Sequence, residues 1–328
     1  MNLALISDVH LVFDNPVARQ DNLIETQFDK LAFVFETAKR YNAPIVQAGD
    51  LCDKPRSWGL LPVLIEFWKR HGVDYYAVYG QHDTYMYSEE TRDRTNIGIL
   101  AKAGLITLLR PDCPAILGGG KVQIFGANFG QKLGKVMRNG FTLGVIHASI
   151  SDRAMYPGHV FSKPSDFIEE NSSYDFILCG DIHRMFYMDM PQSFNVEGKA
   201  GRRILNTGPL LRLEATEYNF IHRPGLAILN TDNGELEWID IPCVPAEDIL
   251  SRAHIEKKIA AQNLLDEFVG SMKEAHPEME DVGDGVSFVE NLWEFIRNNN
   301  IDQGVIDLLA EIITDLQAKI GEKNGKDR

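Results

Sequence analysis

No apolar run in the sequence approaches the roughly 18 residues that a membrane-spanning helix needs, so a membrane is not among the expected partners. Cysteine is scarce: Cys52, Cys113, Cys179 and Cys243 are widely scattered and form no CxxC. That argues against a thiolate zinc site and for a reducing compartment. Internal repeats and low-complexity tracts are absent. The N-terminal MNLALISDVH lacks a basic leader and a small-residue cleavage site, and it reads as a first buried strand instead of a signal peptide. Positive charge is short as well, with 33 Lys and Arg against 47 Asp and Glu and a net charge of −14. The deficit is uneven. From Pro245 onward 18 acidic residues face 9 basic ones, a net of −9, which leaves −5 for everything before. The C-terminal stretch is therefore a poor surface for nucleic acid, and no basic stripe with interleaved aromatics is visible.

What is present is a patterned globular chain. Short apolar runs at 3–7, 44–49, 75–80, 121–127, 141–147, 175–180, 202–208 and 225–230 end in Gly, Asp, His or another polar group. Such runs read as buried strands with polar C-terminal ends. Residues 22–41 and 58–71 have helical spacing, as in Leu23, Phe28, Leu31, Phe35 and Ala38. Strand–helix alternation followed by strands on hairpin-length connections predicts an α/β fold: a mixed β-sheet sandwich flanked by helices, over residues 1–244. Past Pro242 and Pro245 the pattern becomes purely helical. Val305, Leu308, Leu309, Ile312, Leu316 and Ile320 make one stripe, and Phe288, Leu292, Phe295 and Ile296 another. Residues 245–320 are thus expected to form a small helical region that covers its own apolar faces or docks a partner helix. A polar connector interrupts it at 276–285, and 321–328 reads as a flexible tail.

Strand ends carry the chemistry. Asp8-Val9-His10, Gly49-Asp50-Leu51-Cys52-Asp53, Gly80-Gln81-His82-Asp83, His147 and Gly180-Asp181-Ile182-His183 each follow a predicted strand. Each alone has an ordinary explanation: a helix cap, a loop polar pair, a satisfied core histidine. Together they are five strand ends, in chain order, that deliver Asp or His to one crevice. Carboxylates and imidazoles gathered there repel or go unsatisfied unless cations neutralise them.

This ordered set resembles the calcineurin-like metallophosphoesterase superfamily, whose pattern is DxH, GDxxD, GNH(D/E), H and GHxH. The resemblance spans 1 to roughly 230. Within the superfamily the chain looks most like the SbcD-type subunit of the bacterial SbcCD DNA-repair nuclease and its phage relatives, through GDLCD, KVQIFGANFG and NTGPLLRLEATEYNFIHRPGLAIL. The resemblance implies that Asp8, His10 and His183 hold a first metal, that Asp50 bridges, and that Gln81, His147 and Asp181 hold a second. His82 would stand near the leaving-group oxygen with Asp83 orienting its ring, and Asp53 would support the ligands. Two divalent cations about 3.5–4 Å apart would hold a hydroxide for in-line attack on a phosphodiester. Two positions depart from the pattern: Gln81 replaces Asn, and Asp181 replaces His. The added carboxylate predicts Mn²⁺ or Mg²⁺ over zinc. The implied activity is a DNA exo- or endonuclease in the cytoplasm of a bacterial or phage-infected cell. Its implied partners are DNA, an SbcC-like ATPase docked through the C-terminal helices, and a second copy in a homodimer. Lys54, Arg56, Arg92, Arg94, Arg184 and Arg212 flank the presumed crevice. A phosphatase or phosphodiesterase for a small phosphoester, and a scaffold with an impaired second metal site, are the alternatives.

Overall fold

The computed structural model describes residues 1–136, 139–190, 202–275, 285–298 and 301–324. The chain divides into two compact units, Met1–Ile249 and Leu250–Arg328. In the first, β1 (Asn2–Ile6), α1 (Leu23–Arg40), β2 (Ile45–Gln47), α2 (Leu60–His71), β3 (Tyr75–Ala77), α3 (Asn96–Lys102) and β4 (Thr107–Leu108) alternate. Then come β5 (Ala115–Leu117), β6 (Val122–Ala127), β7 (Phe141–His147), α4 (Pro164–Glu170), β8 (Phe176–Gly180), β9 (Phe186–Met190) and β10 (Arg202–Asn206). The unit closes with α5 (Glu217–Ile221), β11 (Gly225–Asn230), β12 (Leu236–Asp240) and α6 (Ala246–Ile249).

These strands make two six-stranded sheets, ordered β12-β11-β1-β2-β3-β4 and β5-β6-β7-β8-β10-β9. The pairs β1/β2, β2/β3, β6/β7, β7/β8 and β8/β10 are parallel, whereas β1/β11, β11/β12, β5/β6 and β9/β10 are antiparallel. Both sheets are therefore mixed. The period of two along each strand sorts side chains into layers. Leu3 and Leu5 of β1 join Val46, Leu143, Val145, Phe176 and Leu178 in a core between the sheets. Ala4 and Ile6 turn the other way, toward Phe35 of α1 and Leu64 of α2. On the far sheet Ile177 and Cys179 pack with Ile168 of α4. A four-layer sandwich follows, helices outside and sheets inside.

The second unit contains α7 (Ala253–Ala275), α8 (Gly285–Asn298) and α9 (Gln303–Asn324). Ala261, Leu292, Ile296, Leu309 and Ile313 are its buried centre. The α9 stripe thus runs through Leu309 and Ile313, four residues apart, with Ile312 only half-buried. Leu316, Ile320 and Phe288, which completed the expected stripes, have side chains outside the described residues, as do 276–284 of the connector. The helix α9 continues to Asn324, into the expected tail, of which 325–328 lie outside the described residues. No helix among the described residues is long and apolar enough to cross a membrane.

Candidate metal centre

Parallel order places the C-terminal ends of β1, β2 and β3 against those of β7 and β8. The chain leaves those ends in strained turns: Asp8 (φ 47°), His10 (φ 52°), Asp50 (φ 52°) and Asp181 (φ 100°) all adopt positive φ. Each such residue costs about 1–3 kcal/mol and persists only where its surroundings dictate it. Hydrogen bonds supply that constraint. His10 and Leu11 amides donate to the Asp50 and Leu51 carbonyls at 3.0 and 2.9 Å, and the Leu210 amide donates to the Asp8 carbonyl at 3.0 Å. Two glycines permit the close approach: a Cβ on Gly80 would strike the Asp50 carboxylate, and one on Gly180 would strike the Ala48 carbonyl.

The four residues Asp8, His10, Asp50 and His183 each offer a ligand atom, all within 4.8 Å of one another. The Nε2 atoms of His10 and His183 are 2.9 Å apart. Asp8 accepts the Asp181 amide on Oδ1 at 2.9 Å, and its Oδ2 is buried without a hydrogen-bond partner among the described residues. A second group adjoins. His147 Nε2 lies 2.6 Å from Gln81 Oε1, 3.3 Å from Asp50 Oδ2 and 3.9 Å from Asp181 Oδ1. Gln81 Nε2 donates to Asp181 Oδ1 at 2.8 Å. Asp50 stands between the groups, its Oδ2 3.6 Å from His10 Nε2 and its Oδ1 accepting the His82 amide at 2.8 Å.

This arrangement demands positive charge. His147 Nδ1 faces the Ala48 carbonyl at 2.7 Å and must donate to it, which leaves the Nε2 lone pair facing oxygens of Gln81 and Asp50. Only a proton or a cation reconciles them. In protons alone, burial opposes charging His147, yet Asp50, Asp8 and Asp181 drive it up to about 10. Burial lifts Asp8 to about 6 against the pull of His147 and His10. For Asp50 burial is outweighed by His147, and the carboxyl is held far below its ordinary range. The orphaned Oδ2 atoms of Asp8 and Asp50 and the oxygen–imidazole donor set fit divalent cations in both groups.

A family model for calcineurin-like phosphoesterases matches residues 1–185. The chain belongs to that family. Among solved structures it is similar to TT1561 of Thermus thermophilus, at 9% identity and TM-score 0.44, over 74% of this chain and 99% of that one. It is also similar to the calcineurin-like phosphoesterase YfkN from Bacillus subtilis, at 12% identity and TM-score 0.43, over 81% and 97% of the two chains. Neither bears on function. No curated protein matches the sequence.

One expected role in this phosphoesterase site moves to another residue. Asp83 does not orient the His82 ring: its carboxylate is turned inward, accepting the amides of Leu51 at 3.1 Å, Cys52 at 3.3 Å and Gly80 at 3.0 Å. Burial, with Asp50 nearby, pushes it up to about 7. It ties the second and third motif loops together. The ring of His82 is set by Asp53, whose carbonyl lies 2.8 Å from Nδ1 and whose carboxylate lies 3.8 Å away. Asp53 also faces His10 Nδ1 at 3.8 Å, so it supports two histidines at once.

Sequence reasoning passed over the residues that brace these loops. Asn206 accepts the Ser7 hydroxyl at 3.2 Å and donates to the Ile182 carbonyl at 2.8 Å, clamping the first and last motifs. Thr207 accepts the Ser7 amide at 2.7 Å, and Asn128 accepts that of Tyr79 at 2.9 Å. Asn and Thr at or just past a strand end were the available signal. Of the basic residues expected at the crevice, Arg184 borders it. Arg212 is buried away from it beside Arg19 and Lys30, and Arg92 is held by Glu89 at 2.6 Å.

Proposed function

We propose that this phosphoesterase is a DNA nuclease of the SbcD type, dependent on two divalent cations. The observation that carries the two-cation reading is Asp50 Oδ2, buried, unpartnered among the described residues, and within 3.6 and 3.3 Å of imidazole nitrogens from two ligand groups. Asp8, His10, His183 and Asp50 would hold one cation, and Gln81, His147, Asp181 and Asp50 the other. When bound, such a pair activates water near neutral pH and withdraws charge from phosphate oxygens.

The remaining work falls to this chain's side chains. The His82 Nδ1 proton is committed to the Asp53 carbonyl, so in the imidazolium form Nε2 carries the proton that would pass to a departing oxygen, leaving His82 neutral. His82 is 40% exposed, enough to be reached from the crevice. The cavity there, about 350 Å³, is bordered by His10, His82, His183, Arg184 and Tyr218. Arg184 lies over the Tyr218 ring at 5.2 Å, which holds its guanidinium ready for a phosphate. Support for DNA as substrate is the motif order together with the run from Asn206 to Leu229 quoted above. An ATPase partner would take the helices α7–α9, and manganese suits a site with three carboxylates, Asp8, Asp50 and Asp181.

Labelled DNA hairpins and single strands incubated with manganese, beside bis-p-nitrophenyl phosphate, test the reading. Cleavage of DNA should disappear in His82→Ala and Asp50→Ala. Robust cleavage by Asp50→Ala overturns the metal assignment, and ester hydrolysis with intact DNA overturns the nuclease.

A further inference from the structure

We propose that Trp58, Arg56 and Tyr85 form a stacking subsite for an unpaired nucleobase of the strand led to the metal centre; this rests on the nuclease reading. The guanidinium of Arg56 lies between two rings, 5.6 Å from the Trp58 centroid and 5.3 Å from that of Tyr85. Trp58 is 71% exposed, and no carboxylate pairs with Arg56 among the described residues. An indole displayed this openly leaves a large apolar face in water, and a cation beside it makes that face attractive to a base and its phosphate.

The platform is built in advance. The buried Asn96 accepts the Ser57 amide at 3.1 Å, donates to the Lys54 carbonyl at 3.3 Å and gives its own amide to the Pro55 carbonyl at 2.8 Å. The segment carrying Arg56 and Trp58 is thereby pinned. Tyr85 comes from the loop after Asp83, where Met86 (φ 48°) and Tyr87 (φ 59°) are both left-handed without being glycine. That strained turn leaves Met86 93% exposed, an arrangement that core packing does not require.

It is also continuous with the metal centre. Asp53 borders both the cavity of His10 and His82 and a neighbouring one of about 510 Å³, lined by Phe13, Lys54 and Arg56. Arg56 in turn borders the hollow beside Tyr85 and Arg94. Acidic groups sit along this path, with Asp14 opposite Lys54 at 3.8 Å and Glu90 by Tyr85. Affinity would therefore come from stacking more than from net charge, which suits an acidic protein that handles single strands.

The test compares KM for a single-stranded oligonucleotide with KM for bis-p-nitrophenyl phosphate, which is too small to span both places. Trp58→Ala should raise the oligonucleotide value relative to the ester value by about 5- to 160-fold, the range that one stacked base supplies. Trp58→Phe should recover most of the loss. An unchanged ratio in Trp58→Ala, with DNA still cleaved, overturns the subsite. So does a Trp58→Ala protein whose only change is a lost dimer in light scattering, which would make the patch an interface between copies. A wild type that hydrolyses the ester and leaves DNA intact removes the nuclease reading and the subsite with it.

Discussion

Replacing Asp8 with asparagine should stabilise the cation-free protein and abolish its stabilisation by divalent cations. Asp8 is fully buried, and burial lifts its carboxyl from 3.8 to about 6 despite His147 and His10. At 1.36 kcal/mol per unit, keeping it ionised in the fold at pH 7.5 costs about 3 kcal/mol. The sign is that of a raised pKa. The group's stabilising contribution is complete below about pH 3.8 and is lost as pH rises through about 6. Asparagine removes this dependence and keeps an Oδ1 to accept the Asp181 amide, bonded at 2.9 Å in the parent. A cation inverts the ranking. At a thousand times its Kd a ligand adds about 4 kcal/mol, and the asparagine variant loses the carboxylate that would collect it. Urea unfolding of chelator-treated and manganese-saturated protein at pH 5 and 7.5 measures both halves. A variant less stable than the parent without cations, yet equally stabilised by manganese, would refute the reasoning.

Gly80→Ala should lower stability by about 1–3 kcal/mol and weaken cation affinity, because the new methyl meets a buried Asp50 that has nowhere to retreat; calorimetric cation titration and urea unfolding check it together. Lys30, only 6% exposed, is lowered by burial and by Arg212 from 10.5 to about 8. The unfolded chain therefore binds the extra proton between those values, and stability should climb by about 3 kcal/mol from pH 8 to 10.5. Lys30→Met should flatten that slope and be the more stable protein at pH 7.5. Asp181→Ala should drop the bound metal from two ions to one per chain by elemental analysis, whereas Asp181→His should keep two.

How much of this was readable beforehand differs by element. The runs at 3–7, 141–147 and 175–180 are buried on both faces, so their continuous apolar character survives in the sequence. The strands that went unread lie at or near sheet edges: β9, whose FYMDM alternates half-buried with exposed, β12 with LEWID, and the short β4 and β5. The strands β4 and β5 are only two and three residues long, and LEWID places charged residues among its apolar ones. FYMDM sits beside residues that lie outside the described ones, so none forms the bounded apolar run that marks a buried strand. Within the site, residue type pointed to the ligands because few other pressures collect Asp and His at five strand ends. The exchange of roles between Asp83 and Asp53 was invisible for a different reason. What holds His82 is the Asp53 carbonyl, and backbone groups leave no mark in a motif. Trp58 and Tyr85 were hidden similarly, since their loops meet through Arg56 only in the folded chain.

The same distinction says who builds the cage. Four of its residues, Asp8, His10, Asp50 and Asp181, hold left-handed backbones that together cost several kcal/mol, a large share of the 5–15 kcal/mol by which domains are stable. A cation bound only to side chains does not set φ. Hydrogen bonds hold the turns instead: Asn206 at the end of β10 and Thr207 just past it, Asp83 in the loop after β3, and the amides of His10 and Leu11 on the Asp50 and Leu51 carbonyls. Negative charge converges because these hydrogen bonds and the left-handed turns leave the buried Asp8 and Asp50 no other place to go, and a cation held there would answer a geometry that the backbone sets.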